Sequence, residues 1–124
     1  MNRLLLFMMA SSILLNAAGL AGTWIGTFDI TTVPDGQTTK ETCVLVLKEE
    51  GGKVTGTAGS TEERQQPILN GKFDRGRLIF EVQNPPSPVP VTFDLKLEVD
   101  RLHGEAVAEH GDQKMQAKID FKRH

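Results

Sequence analysis

Apolar and polar residues alternate in short runs along nearly the whole chain, from residue 22 to residue 121. Successive side chains of a β-strand point to opposite faces, whereas the faces of an α-helix repeat every 3.6 residues. A period of two therefore predicts strands with one buried face and one solvent-exposed face. No ten-residue stretch beyond the first 21 residues shows a helical stripe. The chain is expected to be an all-β domain preceded by a short leader.

The first 21 residues have the pattern of a secretory signal peptide. Arg3 supplies a basic start, residues 4–15 are almost all apolar, and residues 16–21 are mostly small. A membrane-spanning helix needs about 20 apolar residues. The apolar run is shorter than that, which favours a cleaved signal over a membrane anchor.

The expected cleavage site follows from the small residues that signal peptidases prefer. Cleavage is expected after Ala21, and Ala18 and Gly19 offer alternative positions. Residues 1–21 are thus assigned to the signal peptide and residues 22–124 to one domain of ordinary size. The protein is predicted to be secreted or periplasmic.

Eight strand candidates follow the leader, separated by short turns rich in Gly, Asp and Pro. Short turns predict sequential antiparallel neighbours, an up-and-down meander. Pairing the last strand with the first would leave no free edge, which favours a closed or nearly closed eight-stranded barrel. A sandwich of two four-stranded sheets is the alternative. The candidates cover residues 22–31, 41–48, 53–58, 66–73, 77–83, 91–98, 102–108 and 114–121.

The two faces of the predicted sheet differ in chemistry. The inward face is apolar, and the acidic residues are placed on the outward face. Lys or Arg at the middle of a bilayer would cost about 2–4 kcal/mol each. A transmembrane barrel is therefore excluded, and no membrane insertion is expected after signal removal. The outward charges are Lys72, Arg77, Glu81, Asp94, Lys96, Glu98, Glu105, Lys114, Lys118 and Asp120.

The sequence of the predicted sixth and seventh strands also indicates which residues of the two strands face each other. With a two-residue turn at 100–101, Leu97 faces Gly104 and Leu95 faces Ala106, a large residue opposite a small one each time. A slip by one residue would turn the apolar side chains of one strand to water. The alternation therefore specifies which face of this hairpin is buried.

No catalytic or metal-binding constellation is visible. Lys and Arg total 14 against 16 Asp and Glu, and no basic run occurs, so nucleic acid is not an expected partner. His103, His110 and His124 lack the spacing of a zinc site. The single cysteine, Cys43, lies in an apolar run and is predicted to be a buried structural residue. The chain is expected to be no enzyme and to use no metal or cofactor.

Gly22-Thr23-Trp24 opens the first strand. A G-x-W at this place, followed by an antiparallel meander, resembles the lipocalin and avidin-like (calycin) barrels, and also small exported bacterial β-domains. In those barrels the Trp packs across the closed end beside an Arg or Lys of the last strand, a part that Arg123 or Lys122 would take here. The chain departs from these families in its short length, its single Trp and its lack of a disulfide and a flanking helix.

The resemblance implies that the barrel mouth holds a small apolar molecule. Two long connections, at 59–64 and 84–90, would emerge at the same end and form that mouth. The alternative is a protein-interaction or envelope-structural domain with a filled core and no ligand. In either case a monomer or weak homodimer is expected. The candidate lining residues are Trp24, Phe80, Phe93, Leu95 and Met115, although Trp24 is expected above all to be a structural plug.

Overall fold

The computed structural model describes residues 19–34, 36–83 and 89–124. Eight antiparallel strands follow one another around a closed barrel, so the predicted all-β, up-and-down barrel is confirmed and the sandwich is not formed. Every predicted strand is present. The strands are β1 (Gly22–Val33), β2 (Thr38–Glu50), β3 (Lys53–Gly59), β4 (Gln66–Asp74), β5 (Arg77–Val82), β6 (Val91–Glu98), β7 (Arg101–His110) and β8 (Gln113–Arg123). None of the described residues belongs to a helix long and apolar enough to span a membrane.

The barrel closes where β1 pairs with β8. Gly26 lies opposite Phe121 across this seam and opposite Cys43 on β2. A Cβ at Gly26 would lie 2.1 Å from the carbonyl oxygen of Asp120 and 2.7 Å from the Cα of Phe121. Only glycine permits so close an approach of two backbones, so the seam depends on this residue.

The hairpin of β6 and β7 differs from the predicted register by two residues. Its turn is at 99–100, one residue earlier than expected, so that Leu97 faces Leu102 and Leu95 faces Gly104. A shift by two leaves every side chain on its original face. Hydrophobic alternation alone therefore could not separate the two registers.

Close approach at Gly104 favours the observed pairing. A Cβ at this position would lie 2.1 Å from the carbonyl oxygen of Asp94 and 3.0 Å from the Cα of Leu95. The predicted charge pairs change with the register, because Lys96 now faces His103 instead of Glu105. In the observed register the glycine, which leaves room for no side chain, thus lies against the backbone of Asp94 and Leu95.

The core occupies the barrel interior, and the outer face carries charge. Each charged residue predicted to point outward is exposed or half-buried, as the water-facing surface requires. Arg101 donates two hydrogen bonds of 2.7 Å to Asp120 on the neighbouring strand, and Arg77 binds Asp94 in the same way. These guanidinium hydrogen bonds lower the pKa of both carboxyls. The largest fully buried side chains are Trp24, Phe80, Phe121, Leu20, Leu45, Leu47, Leu78, Leu95 and Leu102.

Candidate functional site

One end of the barrel is sealed by Trp24. Its indole is fully buried, and its Nε1 donates a 2.9 Å hydrogen bond to the carbonyl of Leu20. The guanidinium carbon of Arg123 lies 4.3 Å from the centre of the Trp24 ring, a cation–π distance. The last strand thus supplies the basic partner through Arg123, while Lys122 is exposed.

Arg123 also ties the two chain ends of the barrel together. Its Nη2 donates to the carbonyl of Gly19 at 2.6 Å and its Nη1 to that of Ala21 at 3.2 Å. Its Nε lies 3.0 Å from Oδ1 of Asp100 in the β6–β7 turn. The residues before β1, the last strand and one turn are therefore joined into a plug.

Among the described residues the opposite end of the barrel is open and is lined around a cavity of about 630 Å³. Ligand pockets in proteins commonly measure roughly 300–1,000 Å³. The wall is apolar in depth and polar towards the β3–β4 connection. Its apolar residues are Phe28, Ile30, Cys43, Ala58, Val82, Val91, Phe93 and Met115, and its polar residues include Glu41, Ser60, Glu63, Arg64 and Gln66.

Aromatic rings form the floor of this cavity. Phe93 stacks on Phe80 with ring centres 4.5 Å apart and planes at 11°. Phe28 tilts against Phe93 at 5.6 Å and meets Phe121 edge-on at 6.1 Å. Pairs of this kind contribute about 0.5–1.5 kcal/mol beyond the area they bury. The floor is therefore an apolar surface of mutually packed aromatic rings.

The five residues predicted to line a site do not all come together. Phe93 and Met115 lie on the cavity wall. Phe80 and Leu95 are buried in the core below it, and Trp24 lies at the closed end. Phe80 nevertheless supports the floor from beneath, because it stacks directly on Phe93.

One acidic wall residue on β2, Glu41, was missed in the sequence, whereas Cys43 is buried as predicted. Glu41 faces Phe28 and Cys43 faces Gly26, so both belong to the inward set. The sequence predicts that all acidic residues lie on the outer face, and this is wrong for Glu41, which falls within the predicted strand 41–48 and shares the face of Cys43 two residues later. Alternation extended backwards from Cys43 would have found Glu41.

The thiol of Cys43 is buried and poorly reactive at neutral pH. The side chain is 6% exposed, and burial raises the pKa of the thiol to about 11, with the charge of Glu41 adding to the effect against a hydrogen bond from Gly59. A thiol with so high a pKa is protonated at neutral pH and is a poor nucleophile. Cys43 is therefore a wall residue of the cavity rather than a reactive group.

The β3–β4 connection forms one rim of the cavity and is hydrogen-bonded to the sheet. Gln65 accepts a 2.7 Å hydrogen bond from the hydroxyl of Thr57 and donates to the carbonyls of Thr61 (2.6 Å) and Val44 (3.3 Å). The connection is thus bonded to the sheet through one half-buried amide. Of the second predicted mouth connection, residues 84–88 lie outside the described residues, while Val82 and Val91 at the ends of β5 and β6 line the cavity.

His103 and Glu98 lie on the outer surface of the barrel. His103 lies 2.9 Å from Glu98, and this contact lowers the pKa of the Glu98 carboxyl. Within the described ranges no three His, Cys, Asp or Glu side chains are arranged to hold a metal ion. No known family profile matches the chain, and no curated protein matches it either.

Proposed function

We propose that this chain is an exported, lipocalin-like barrel that binds a small, largely apolar molecule at its open end and is not an enzyme. The observation that carries the proposal is the asymmetry of the barrel. Trp24 and Arg123 seal one end, while the other contains a cavity of about 630 Å³. A purely structural barrel gains nothing from a hollow end, because unfilled space forfeits packing energy.

The cavity chemistry fits a molecule with an apolar body and a polar group. The body would lie on Phe28, Phe93 and Met115, and the polar group would reach the rim near Glu41 and Arg64. Each Å² of apolar surface removed from water contributes about 25 cal/mol. The wall therefore supplies affinity and the rim supplies orientation.

The family and the location are part of the same proposal. The G-x-W of the first strand and the Trp24–Arg123 contact support a calycin-type barrel. The leader pattern of residues 1–21 supports export to the periplasm or the medium, and residues 1–18 lie outside the described residues. Closure between β1 and β8 leaves no unpaired edge for strand exchange, which supports a monomer.

A fluorescence titration with 1-anilinonaphthalene-8-sulfonate tests the proposal. Two isoleucines offer a matched pair, because Ile30 lies on the cavity wall and Ile79 lies on the outer face, 37% exposed. Ile30→Ser should weaken saturable binding about tenfold, the equivalent of roughly 1.4 kcal/mol of lost apolar contact. Ile79→Ser should leave it unchanged.

Equal affinities in the two variants, or no saturable binding by the wild type, would refute the proposal. Cys43 gives a second readout, because a ligand in the cavity should slow its alkylation by iodoacetamide at mildly alkaline pH. Native mass spectrometry of protein from its natural source should show a bound small molecule. If all three readouts are negative, the filled-core interaction or envelope domain becomes the better interpretation.

A further inference from the structure

Three residues that precede β1 belong to the closed end of the barrel. Leu20 is fully buried and joins the same core cluster as Trp24 and Phe121. The carbonyl of Leu20 accepts the indole hydrogen bond, and the carbonyls of Gly19 and Ala21 accept those of Arg123. Each contact uses the backbone or the apolar side chain, so the segment is built into the plug.

Removal of these residues would leave groups of the plug without partners. Trp24 is 0% exposed with these residues in place, so their removal would take the acceptor from its Nε1 and uncover part of the ring. Either a buried donor without an acceptor or a wetted apolar ring is unfavourable. Arg123 would keep Asp100 but lose both carbonyls, and the space filled by Leu20 would be empty.

We propose that export processing cuts the chain on the amino side of Leu20, after Ala18 or Gly19, and that Leu20 remains in the mature protein as the plug of the closed end. A signal peptidase would hydrolyse that peptide bond with water, leaving a carboxylate on the released leader and an amine on the mature chain. This choice among the three candidate positions rests on the proposed export but not on ligand binding at the open end.

The intact mass of the exported protein tests the assignment. The full chain is expressed in a secreting bacterial host and recovered outside the cytoplasm. A mature chain that begins at Gly19 or Leu20 supports the proposal. A chain that begins at Ala21, Gly22 or later overturns it. A chain that retains its leader overturns the cleavage assignment together with the proposed export, whatever the ligand titration shows.

A matched pair of variants tests the role of Leu20 in the same exported protein. Leu20→Ala should lower the melting temperature by at least about 5 °C and shift the emission of the single tryptophan to longer wavelength. Ala21→Ser, at an exposed position, should change neither. Identical melting temperatures and emission spectra for the two variants would show that Leu20 does not plug the mature barrel. A residue that has been cleaved off with the leader cannot affect the mature protein when it is substituted.

Discussion

The thiol of Cys43 reports on the wall of the open-end cavity, because it is 6% exposed and its pKa is raised to about 11. Alkylation by iodoacetamide should therefore be slow near neutral pH and still rise about tenfold per pH unit up to pH 10, where the rate of an ordinary thiol of pKa near 9.0 already levels off. The same reaction in concentrated urea should be half-maximal near pH 9.0 and level off above it. A half-maximal rate near pH 9.0 in the folded protein would contradict the burial.

The raised pKa also gives the direction of a stability change. The folded thiol holds its proton more tightly than the unfolded one, so its contribution is complete below the unfolded pKa. It is lost as pH rises from the ordinary value near 9.0 towards about 11. The difference in unfolding free energy between wild type and Cys43→Ala should shrink over that window, as urea melts at several pH values would show.

Gly104 is constrained by the neighbouring backbone rather than by a side chain. The sequence alone places Leu97 opposite Gly104, whereas in the structure a Cβ here would meet the carbonyl oxygen of Asp94 at 2.1 Å. Even Gly104→Ala should therefore cost about 1–3 kcal/mol, measured as a lower urea midpoint. Glu105→Ala, on the exposed next position, should stay within about 0.5 kcal/mol. An unchanged midpoint for Gly104→Ala would mean that the strands are farther apart than described.

At the scale of the element, the β6–β7 hairpin carries an unfavourable turn residue. Val99 has φ of 54° and is 87% exposed, and β-branched residues avoid the left-handed region. Glycine is favoured at the first position of such two-residue turns. Val99→Gly should stabilise the protein by about 0.5–1 kcal/mol, after allowing for the greater freedom of glycine in the unfolded chain.

The control for this prediction is Val99→Ala, which keeps a Cβ and should recover little of the gain. Both midpoints are read from urea unfolding followed by circular dichroism. A gain that is equal for Ala and Gly would attribute the effect to the exposed apolar side chain instead of the backbone conformation.

At the scale of the whole molecule, barrel closure depends on the seam of β1 and β8. Gly26→Val would push a side chain into the backbone at Asp120 and Phe121, and should cost about 3 kcal/mol or more. The freed edges should also promote association, visible as a concentration-dependent shift in size-exclusion chromatography. Thr27→Val, at the next and exposed position, should remain monomeric and stable. A stable monomeric Gly26→Val would show that closure does not need this glycine.

The sequence by itself determined the eight strands, most of the buried face and the sequential pairing of neighbours, and it favoured the closed barrel over a sandwich, which the tertiary structure then decided. Alternation with a period of two is a local property, and short turns leave adjacent strands no other partners. The contact between the tryptophan of the first strand and a basic residue of the last could also be predicted, because the resemblance implies it. Phe93 and Met115 could be placed on the inner face for the same local reason.

Only the tertiary structure decided the register of β6 and β7, the place of Leu20 and the position of the cavity. A shift by two residues keeps the faces unchanged, so it is decided by how closely the backbones approach at Gly104. The composition of the surrounding sequence assigns Leu20 to the leader, whereas its contacts place it in the core. The division of the interior into a packed end and a hollow end depends on summed side-chain volumes across all eight strands, a quantity that no single stretch of sequence contains.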